Sequence, residues 1–208
     1  MPGQVVHSFP LFPLGLVALP TEIVPLHIFE PRYRTMINEC LDDEREFGIV
    51  WAGEDSVHSI GCAVEITEVL DTLPDGRMNI LTQGTRPFRV VEEQHDQPYP
   101  AATIQWLDDE PEERSEPVAQ AAQEVYRELV EQATDDEPDP EMLAQISAYG
   151  MAATVDFGLD AKQGLLDLRS ENARLTLVTR LLRAALKRLS FIDRAQAKAR
   201  SNGKVHFG

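Results

Sequence analysis

Hydrophobic residues occur in short runs through the first hundred positions, and this pattern predicts β-strands. The runs are rich in β-branched and aromatic residues and are broken by proline or glycine, which is typical of edge strands, bulges and strand starts. Between two runs, Pro74-Asp75-Gly76 predicts a hairpin turn, because glycine supplies the positive φ that such turns need. Many short strands at this spacing favour a small closed or nearly closed barrel. The predicted strands are residues 9–14, 17–19, 22–28, 47–51, 59–73, 77–83, 88–92 and 101–107.

One helix is predicted to interrupt these strands. It follows Glu30 and has Pro31 at its first position, where the missing amide hydrogen costs nothing. Apolar residues then recur at the spacing of one helix face, so they are expected to share a buried surface. They are Tyr33, Met36, Ile37, Cys40 and Leu41. On that face Cys40 is interpreted as a small core residue and not as a nucleophile.

The composition changes near residue 108, where an acidic, proline-bearing stretch suits a connector between two packed units. Helical periodicity follows, with Asp139 expected to cap one helix and Asp160 with Gln163 resembling a capping box for another. The last helix carries a leucine-rich stripe with most of its arginines off the stripe. The sequence therefore predicts an α+β chain: a β-rich lobe at residues 1–110, a helical lobe at residues 116–198 and a flexible tail at residues 199–208.

Charge is distributed unevenly along a chain whose formal net charge is −16. Residues 92–141 hold 17 acidic residues against two arginines, whereas residues 162–204 hold 11 basic residues against three acidic ones. A strongly acidic protein repels phosphate, which disfavours general binding of nucleic acid or of an anionic membrane. The longest apolar stretch, residues 9–29, contains four prolines and cannot form a membrane span of roughly 20 residues. Two cysteines and no export signal favour reduced thiols and a cytoplasmic location.

Residue patterns for chemistry are nearly absent. The glycines are scattered and form no phosphate-binding loop, so ATP hydrolysis is not expected. In a strand, His58 and Cys62 would lie about 13 Å apart, and zinc needs at least three converging ligands. Ser190 lies within reach of Lys187 on the last helix, but this pair is interpreted as a surface coincidence. We therefore predict no catalytic residue, no cofactor and no metal.

Aromatic side chains in the strand-rich half are the candidates for peptide contact. For any one of them, a place in the core is the safer interpretation. Two apolar-faced units joined by a polar connector are expected to leave a cleft where they meet, which is a usual place for a ligand. The candidates are Phe12, Phe29, Tyr33, Trp51, Phe88 and Trp106.

Two stretches, residues 9–20 and 25–37, resemble the N-terminal, substrate-binding domain of Lon-type ATP-dependent proteases. The string Pro-Leu-His-Ile-Phe-Glu-Pro-Arg-Tyr in the second stretch is the most specific match. Weaker matches extend the resemblance over roughly residues 8 to 190. They are residues 47–50, 60–69, 74–81, 84–90, 162–166 and 174–175.

The resemblance implies a PUA-like β pseudobarrel lobe joined to an α-helical bundle lobe. It also implies recognition of unfolded or tagged polypeptides, a task that Lon proteases separate from their ATPase and peptidase modules. Neither module follows in this sequence, so we expect a free-standing Lon-domain protein that is not itself an enzyme and works with a protease or an ATPase in trans. One departure is Pro87, inserted between Arg86 and Phe88; because proline removes a ladder donor, this strand is predicted to be an edge or bulged.

The sequence leaves three functions open. The first is a non-catalytic polypeptide-recognition module that binds exposed apolar segments, with the acidic stretch selecting basic or neutral chains. The second is an RNA-binding PUA-like module, which would be favoured if Arg77, Arg86 and Arg89 formed one basic face with the C-terminal arginines. The third is a small hydrolase, which would require a serine or cysteine, a histidine and a carboxylate to converge in a pocket.

Overall fold

The computed structural model describes residues 3–53 and 56–202 and contains six strands and six helices. The strands are β1 (Val5–Leu14), β2 (Ile23–Ile28), β3 (Phe47–Trp51), β4 (Ile60–Thr72), β5 (Met78–Gln94) and β6 (Ala101–Trp106). The helices are α1 (Pro31–Asp42), α2 (Glu116–Thr134), α3 (Pro140–Gln145), α4 (Ala148–Ala153), α5 (Leu159–Leu166) and α6 (Glu171–Asn202). Helix α6 includes residues 199–202, which the sequence assigned to a flexible tail, and residues 203–208 of that tail lie outside the described residues.

The six strands form one mixed sheet that closes on itself. Its order is β2-β5-β4-β3-β1-β6, and an additional pairing between β5 and β6 completes a ring. Only β1 and β3 run parallel, and β2 and α1 lie between them in the chain. Because β5 is 17 residues long, its first half pairs with β2 and its second half with β6. These pairings confirm the predicted α+β fold with a barrel, called the β-barrel part below.

The β4–β5 hairpin turns where the sequence predicts, and Gly76 has the expected positive φ of 83°. Around Pro87 the strand is bulged, which is one of the two forms that the sequence predicts. Pro87 lies opposite Cys62 of β4, and its carbonyl accepts from Leu107 N just beyond β6, so β5 is not an edge strand there. A register shift between Cys62 and Val64 provides the bulge. The barrel therefore accommodates the missing proline donor by bulging inside the sheet.

The predicted strand at residues 17–19 is wrong. Val17, Ala18 and Leu19 are buried but lie outside every strand. Their apolar pattern reflects burial alone, because the amide of Leu19 donates to a side chain, that of Glu22, and not to a neighbouring strand. The segment also crosses very close to Gly84, where an added Cβ would lie 2.0 Å from the Leu19 carbonyl oxygen.

Helix α1 matches its prediction except at Leu41, which was expected on the buried face and is only partly buried. It begins at Pro31, and its inner face, formed by Tyr33, Met36, Ile37 and Cys40, is at most 5% exposed. This face covers the barrel, since the same residues belong to one hydrophobic cluster with strand residues such as Phe12 and Phe47. The spacing in the sequence therefore identified the packing surface of the helix correctly.

Helices α2 to α6 form the helical part. Helices α2 and α6 lie side by side in the same direction, with Ser115 bonded to Asn172 at one end and Gln132 to Ser190 at the other. Asp139 caps α3 as predicted and accepts a 2.8 Å bond from the Glu141 amide. The capping box at Asp160 is wrong, because α5 already begins at Leu159. The residue before it is Gly158, whose φ of 81° disfavours any side chain at that N-cap.

The β-barrel part and the helical part share one core. A single hydrophobic cluster contains residues of both, from Phe12 in β1 to Leu182 in α6. Polar contacts also cross the junction: Lys162 pairs with Glu22, and the Gln163 side chain donates to the Ile60 carbonyl. The apolar faces at the junction are therefore covered by the protein's own side chains, and the expected apolar cleft is not located there.

Candidate functional site

A groove of about 470 Å³ lies on the β-barrel part and is called the barrel groove. Its floor is apolar and comes from several strands and the segment before β4. The floor residues are Leu11, Pro13, Val50, Val57 and Val90. The rest of the lining comes from Arg32 of α1, residues 58–59, 93–95 and 97–100, and Ala101 of β6.

The floor is formed where β1 and β3 run parallel. Pro13 lies directly opposite Val50 in that pairing, and Leu11 lies two residues before Pro13 on the same face. Leu11 and Val50 are 5% and 1% exposed, whereas Val57 is 52% exposed. The floor thus combines side chains fixed in the core with an accessible valine that a bound chain could cover.

One wall of the groove is the loop between β5 and β6. Pro98, Tyr99 and Pro100 stiffen it, and the Pro100 carbonyl accepts a 2.8 Å bond from Leu11 N. The Tyr99 hydroxyl donates to the carboxylate of Glu39 on α1 and accepts a 3.1 Å bond from Arg45. Burial and the Glu39 carboxylate raise the pKa of Tyr99 to about 12, so the hydroxyl stays protonated as a donor. These bonds fix the wall to the end of α1.

Aromatic and charged side chains form the rim of the barrel groove. The rings of Trp51 and His58 stack with centroids 4.4 Å apart and planes 4° apart. His58 lines the groove, and its amide donates to the Trp51 carbonyl at 2.9 Å. The remaining charged or titratable lining residues are Arg32, Glu93 and His95. The rim can therefore form hydrogen bonds while the floor buries apolar surface.

Four of the six predicted contact residues are in the core. Phe12, Tyr33, Phe88 and Trp106 are at most 6% exposed. The Phe12 and Tyr33 rings are 4.1 Å apart, and the Phe88 and Trp106 rings meet edge to face at 6.4 Å. These rings are occupied in packing the barrel, which is the interpretation that the sequence favoured for any single aromatic residue.

The other two candidates remain accessible. Phe29 is 58% exposed and stacks on His27 at the turn before α1, three residues ahead of the groove residue Arg32. Trp51 is half-buried and stacks on the groove residue His58. The sequence did not single out Val57 or Tyr99, because neither the loop between β5 and β6 nor the segment before β4 has a periodic pattern. The Pro-Tyr-Pro string at 98–100 is the signal that could have found the wall.

Charge dominates a second groove, at the junction of the two parts. It measures about 510 Å³, and its lining includes Arg89, Arg169 and the carboxylates of Asp108, Asp109 and Glu110. An apolar segment would leave these charges without water, so this groove is a poor match for such a ligand.

The three barrel arginines do not form one basic face. Arg77 pairs with Asp75 at the hairpin tip, and Arg86 pairs with Glu46 and lies 3.5 Å above the Trp106 ring. Arg89 faces the acidic junction groove. Arg86 lies nine positions after Arg77, which precedes β5 directly, and nine positions of strand span about 30 Å. This dispersal disfavours the RNA-binding hypothesis.

Nucleophilic chemistry finds no support in the cysteines or in Ser190. Burial raises the pKa of Cys40 to about 11 and raises that of Cys62 further, so both thiols stay protonated at neutral pH. The Ser190 hydroxyl is bonded to Gln132, and Lys187 is exposed. Within the described residues, no three His, Cys, Asp or Glu side chains are grouped as a metal site requires.

Comparison with known proteins gives a consistent family. The family model described as the ATP-dependent protease La (LON) substrate-binding domain matches residues 8–184. The chain is 23% identical to the Lon protease of Flavobacterium johnsoniae over 212 residues, which covers 93% of this chain and 26% of that protein. It is 27% identical to the Lon protease of Methylocella silvestris, covering 89% of this chain and 25% of that protein. The chain thus spans about a quarter of the length of these relatives.

Solved structures show the same fold. The Lon N-terminal domain protein from Xanthomonas campestris has a TM-score of 0.65 at 24% identity, covering 82% of this chain and 95% of that one. The N-terminal domain of the Mycobacterium avium complex Lon protease has a TM-score of 0.63 at 17% identity, covering 84% of this chain and 97% of that one. No helix within residues 3–53 and 56–202 has the length and apolar character that a membrane span requires.

Proposed function

The chain belongs to the ATP-dependent protease La (LON) substrate-binding domain family, and from this premise we propose that it binds exposed apolar segments of unfolded polypeptides in the barrel groove. The observation that carries the proposal is the apolar floor of that groove, beside a polar rim and a fixed wall. Ligand sites in proteins commonly combine an apolar lining with a few placed polar groups. The chain would perform no covalent chemistry on the bound segment.

Apolar burial would supply most of the affinity. Fully burying one Val- or Leu-sized side chain contributes about 1.5–3 kcal/mol, and the accessible half of Val57 would contribute about half of that range. The stacked Trp51 and His58 rings offer further flat apolar surface at the rim. Because the floor residues Leu11 and Val50 are already packed, little side-chain entropy would be lost on binding.

The net charge of −16 would add selectivity. Long-range attraction speeds the encounter with basic chains and is weakened by salt, while acidic chains are repelled. The curated relatives are Lon proteases and are about four times as long as this chain. We propose that a protease or an ATPase acts on the segment held by this domain.

A pair of matched variants tests the proposal. Val57 in the groove and Val91 outside it are 52% and 59% exposed, so aspartate at either position should leave the fold intact. The probe is fluorescein-labelled, reduced and carbamidomethylated lysozyme, an unfolded basic chain, titrated at about 0.15 M salt where surface charges are largely screened. Val57→Asp should weaken binding about tenfold, because it removes an apolar contact and places a charge on the floor. Val91→Asp should bind like the native protein.

The two variants also separate apolar burial from charge attraction. Each adds one negative charge, which would strengthen binding of a basic chain if electrostatics alone were responsible. Equal or tighter binding by Val57→Asp would therefore contradict the proposal. Circular dichroism of both variants confirms that the comparison is between folded proteins.

A further inference from the structure

Strand β4 keeps a free edge beyond its pairing with β3. β4 pairs with β3 only through Cys62, Ala63 and Val64, although it continues for eight more residues to Thr72. On that side of residues 65–72, the described part of the chain places no other strand. Unpaired backbone amides and carbonyls along such an edge are a template for an added strand.

Two bulges in β4 determine which side chains of this edge lie on the same face of the sheet. In the pairing with β5, Glu65, Glu68 and Asp71 lie opposite Gln83, Leu81 and Asn79, on the outer face. Ile66, Val69 and Thr72 lie opposite the buried residues Thr82, Ile80 and Met78, on the inner face. The register shifts after Ile66 and after Val69 change the usual two-residue repeat to three. The edge therefore presents three carboxylates on one face and a largely apolar set on the other.

A groove between α1 and β4 continues this surface. It has a volume of about 260 Å³, with Leu41 and Ile66 supplying apolar area and Glu44, Glu46 and Glu65 supplying carboxylates. Its one cation, Arg45, is already bonded to Glu39 and Tyr99. Among the described residues, Glu65, Glu68 and Asp71 have no ion-pair partner. The acidic face is thus open to a cationic ligand.

We propose that the free edge of β4, residues 65–72, binds an extended segment of another polypeptide as an added strand, with cationic and apolar residues alternating. A regular strand without bulges has a repeat of two, because its alternate side chains point to opposite faces. It can match the three-residue repeat of β4 in the same way as β5, where Gln83, Leu81 and Asn79 lie opposite the three carboxylates. Lysine or arginine would then meet Glu65, Glu68 and Asp71, while apolar side chains would cover Ile66 and Val69. Cross-strand pairs of opposite charge are stabilising, and like charges directly opposite are destabilising.

The same charges exclude a second copy as the occupant. Two β4 edges paired with each other would bring one set of carboxylates against an identical set. The site shares no residue with the barrel groove, so it holds whether or not that groove binds polypeptide.

The probe is an end-blocked peptide of eight residues that alternates lysine and valine. Its two controls are the same peptide with N-methylated backbone amides, which cannot form the ladder, and a peptide that alternates glutamate and valine. The protein variants are the double charge reversals Glu65→Lys with Glu68→Lys at the edge, and Glu124→Lys with Glu128→Lys on α2. All four residues are exposed, and both variants change the net charge equally.

The lysine peptide should bind saturably and slow amide hydrogen exchange in residues 65–72. Reversal of Glu65 and Glu68 should weaken it about tenfold, whereas reversal on α2 should change affinity less than twofold. The glutamate and N-methylated peptides should not bind measurably. The proposal would be overturned if the N-methylated peptide bound as tightly as the lysine peptide, or if the α2 variant lost as much affinity as the edge variant. Slowed amide exchange located outside residues 65–72 would also overturn it. A dimer of the protein that competes with the peptide would overturn it as well.

Discussion

Arg174 allows the sharpest prediction about stability, because it is a buried cation that ties the connector to the helical part. Its side chain is 3% exposed. It forms a bidentate pair with Asp109, donates to Glu171 at 3.0 Å and to the Leu168 carbonyl at 3.1 Å, and lies 4.5 Å above the Tyr149 ring. Replacing it with methionine keeps most of the apolar volume and removes every one of these polar contacts.

Removing one partner of a buried ion pair commonly costs about 3–5 kcal/mol. Here both carboxylates can reach water, since Asp109 and Glu171 are 44% and 27% exposed. We therefore expect Arg174→Met to lower the free energy of unfolding by about 2–3 kcal/mol, less than for a fully buried pair. With an m-value of about 2–3 kcal/mol per molar urea, the midpoint should fall by about 1 M.

The assay is urea unfolding followed by far-UV circular dichroism at neutral pH. Arg180 on the same helix is exposed, so Arg180→Met is the control and should change stability by less than about 0.5 kcal/mol. Hydrogen bonds from Arg174 hold the pKa of Asp109 below its usual 3.8. The stabilisation from the pair of Arg174 and Asp109 is fully present above pH 3.8, the usual pKa of Asp109. It is lost as the pH falls through the lowered pKa of Asp109 in the folded protein. The difference in unfolding midpoint between Arg174→Met and the native protein should therefore shrink in acid. Equal midpoints for Arg174→Met and Arg180→Met at neutral pH would show that the contacts of Arg174 do not stabilise the fold.

Two further predictions concern the buried thiols and the groove wall. Because burial raises the pKa of Cys40 to about 11 and also raises that of Cys62, neither thiol should react with iodoacetamide at pH 8 in the folded protein, and mass spectrometry should find both alkylated in urea. Rapid alkylation without urea would show that the core is open. Tyr99→Phe removes the bonds to Glu39 and Arg45, so thermal unfolding should occur about 2–4 °C lower. An unchanged midpoint would mean that these bonds do not fix the loop.

Sequence patterns predicted the elements that are determined by residues close together in the chain. The proline at the start of α1 and the spacing of Tyr33, Met36 and Ile37 identified the helix and its buried face. The Asp-Gly turn identified the β4–β5 hairpin. The segment at residues 17–19 was misassigned because burial, and not strand pairing, requires its apolar residues. Pro87 lies inside the sheet because a bulge removes the need for its donor.

The candidate site was harder to predict because it depends on contacts between residues far apart in the sequence. Tyr99 is held by Glu39, 60 positions away, and no periodic pattern relates the two. The free edge of β4 exists because β3 begins only at Phe47, opposite Val64, while β4 continues to Thr72, which only the strand register shows. The groove described at the junction is charged and not apolar as expected, because the apolar faces of both parts are buried against each other.

Amide hydrogen exchange can show whether the barrel groove holds an unfolded chain. The native protein is compared with and without saturating reduced, carbamidomethylated lysozyme, and exchange is followed by mass spectrometry of peptides. Occupation of the groove should slow exchange in residues 57–59 and in the segment 93–101, where every residue but Asp96 lines it. Unchanged exchange in both segments at saturation, with slowing confined to other surfaces, would contradict the claim.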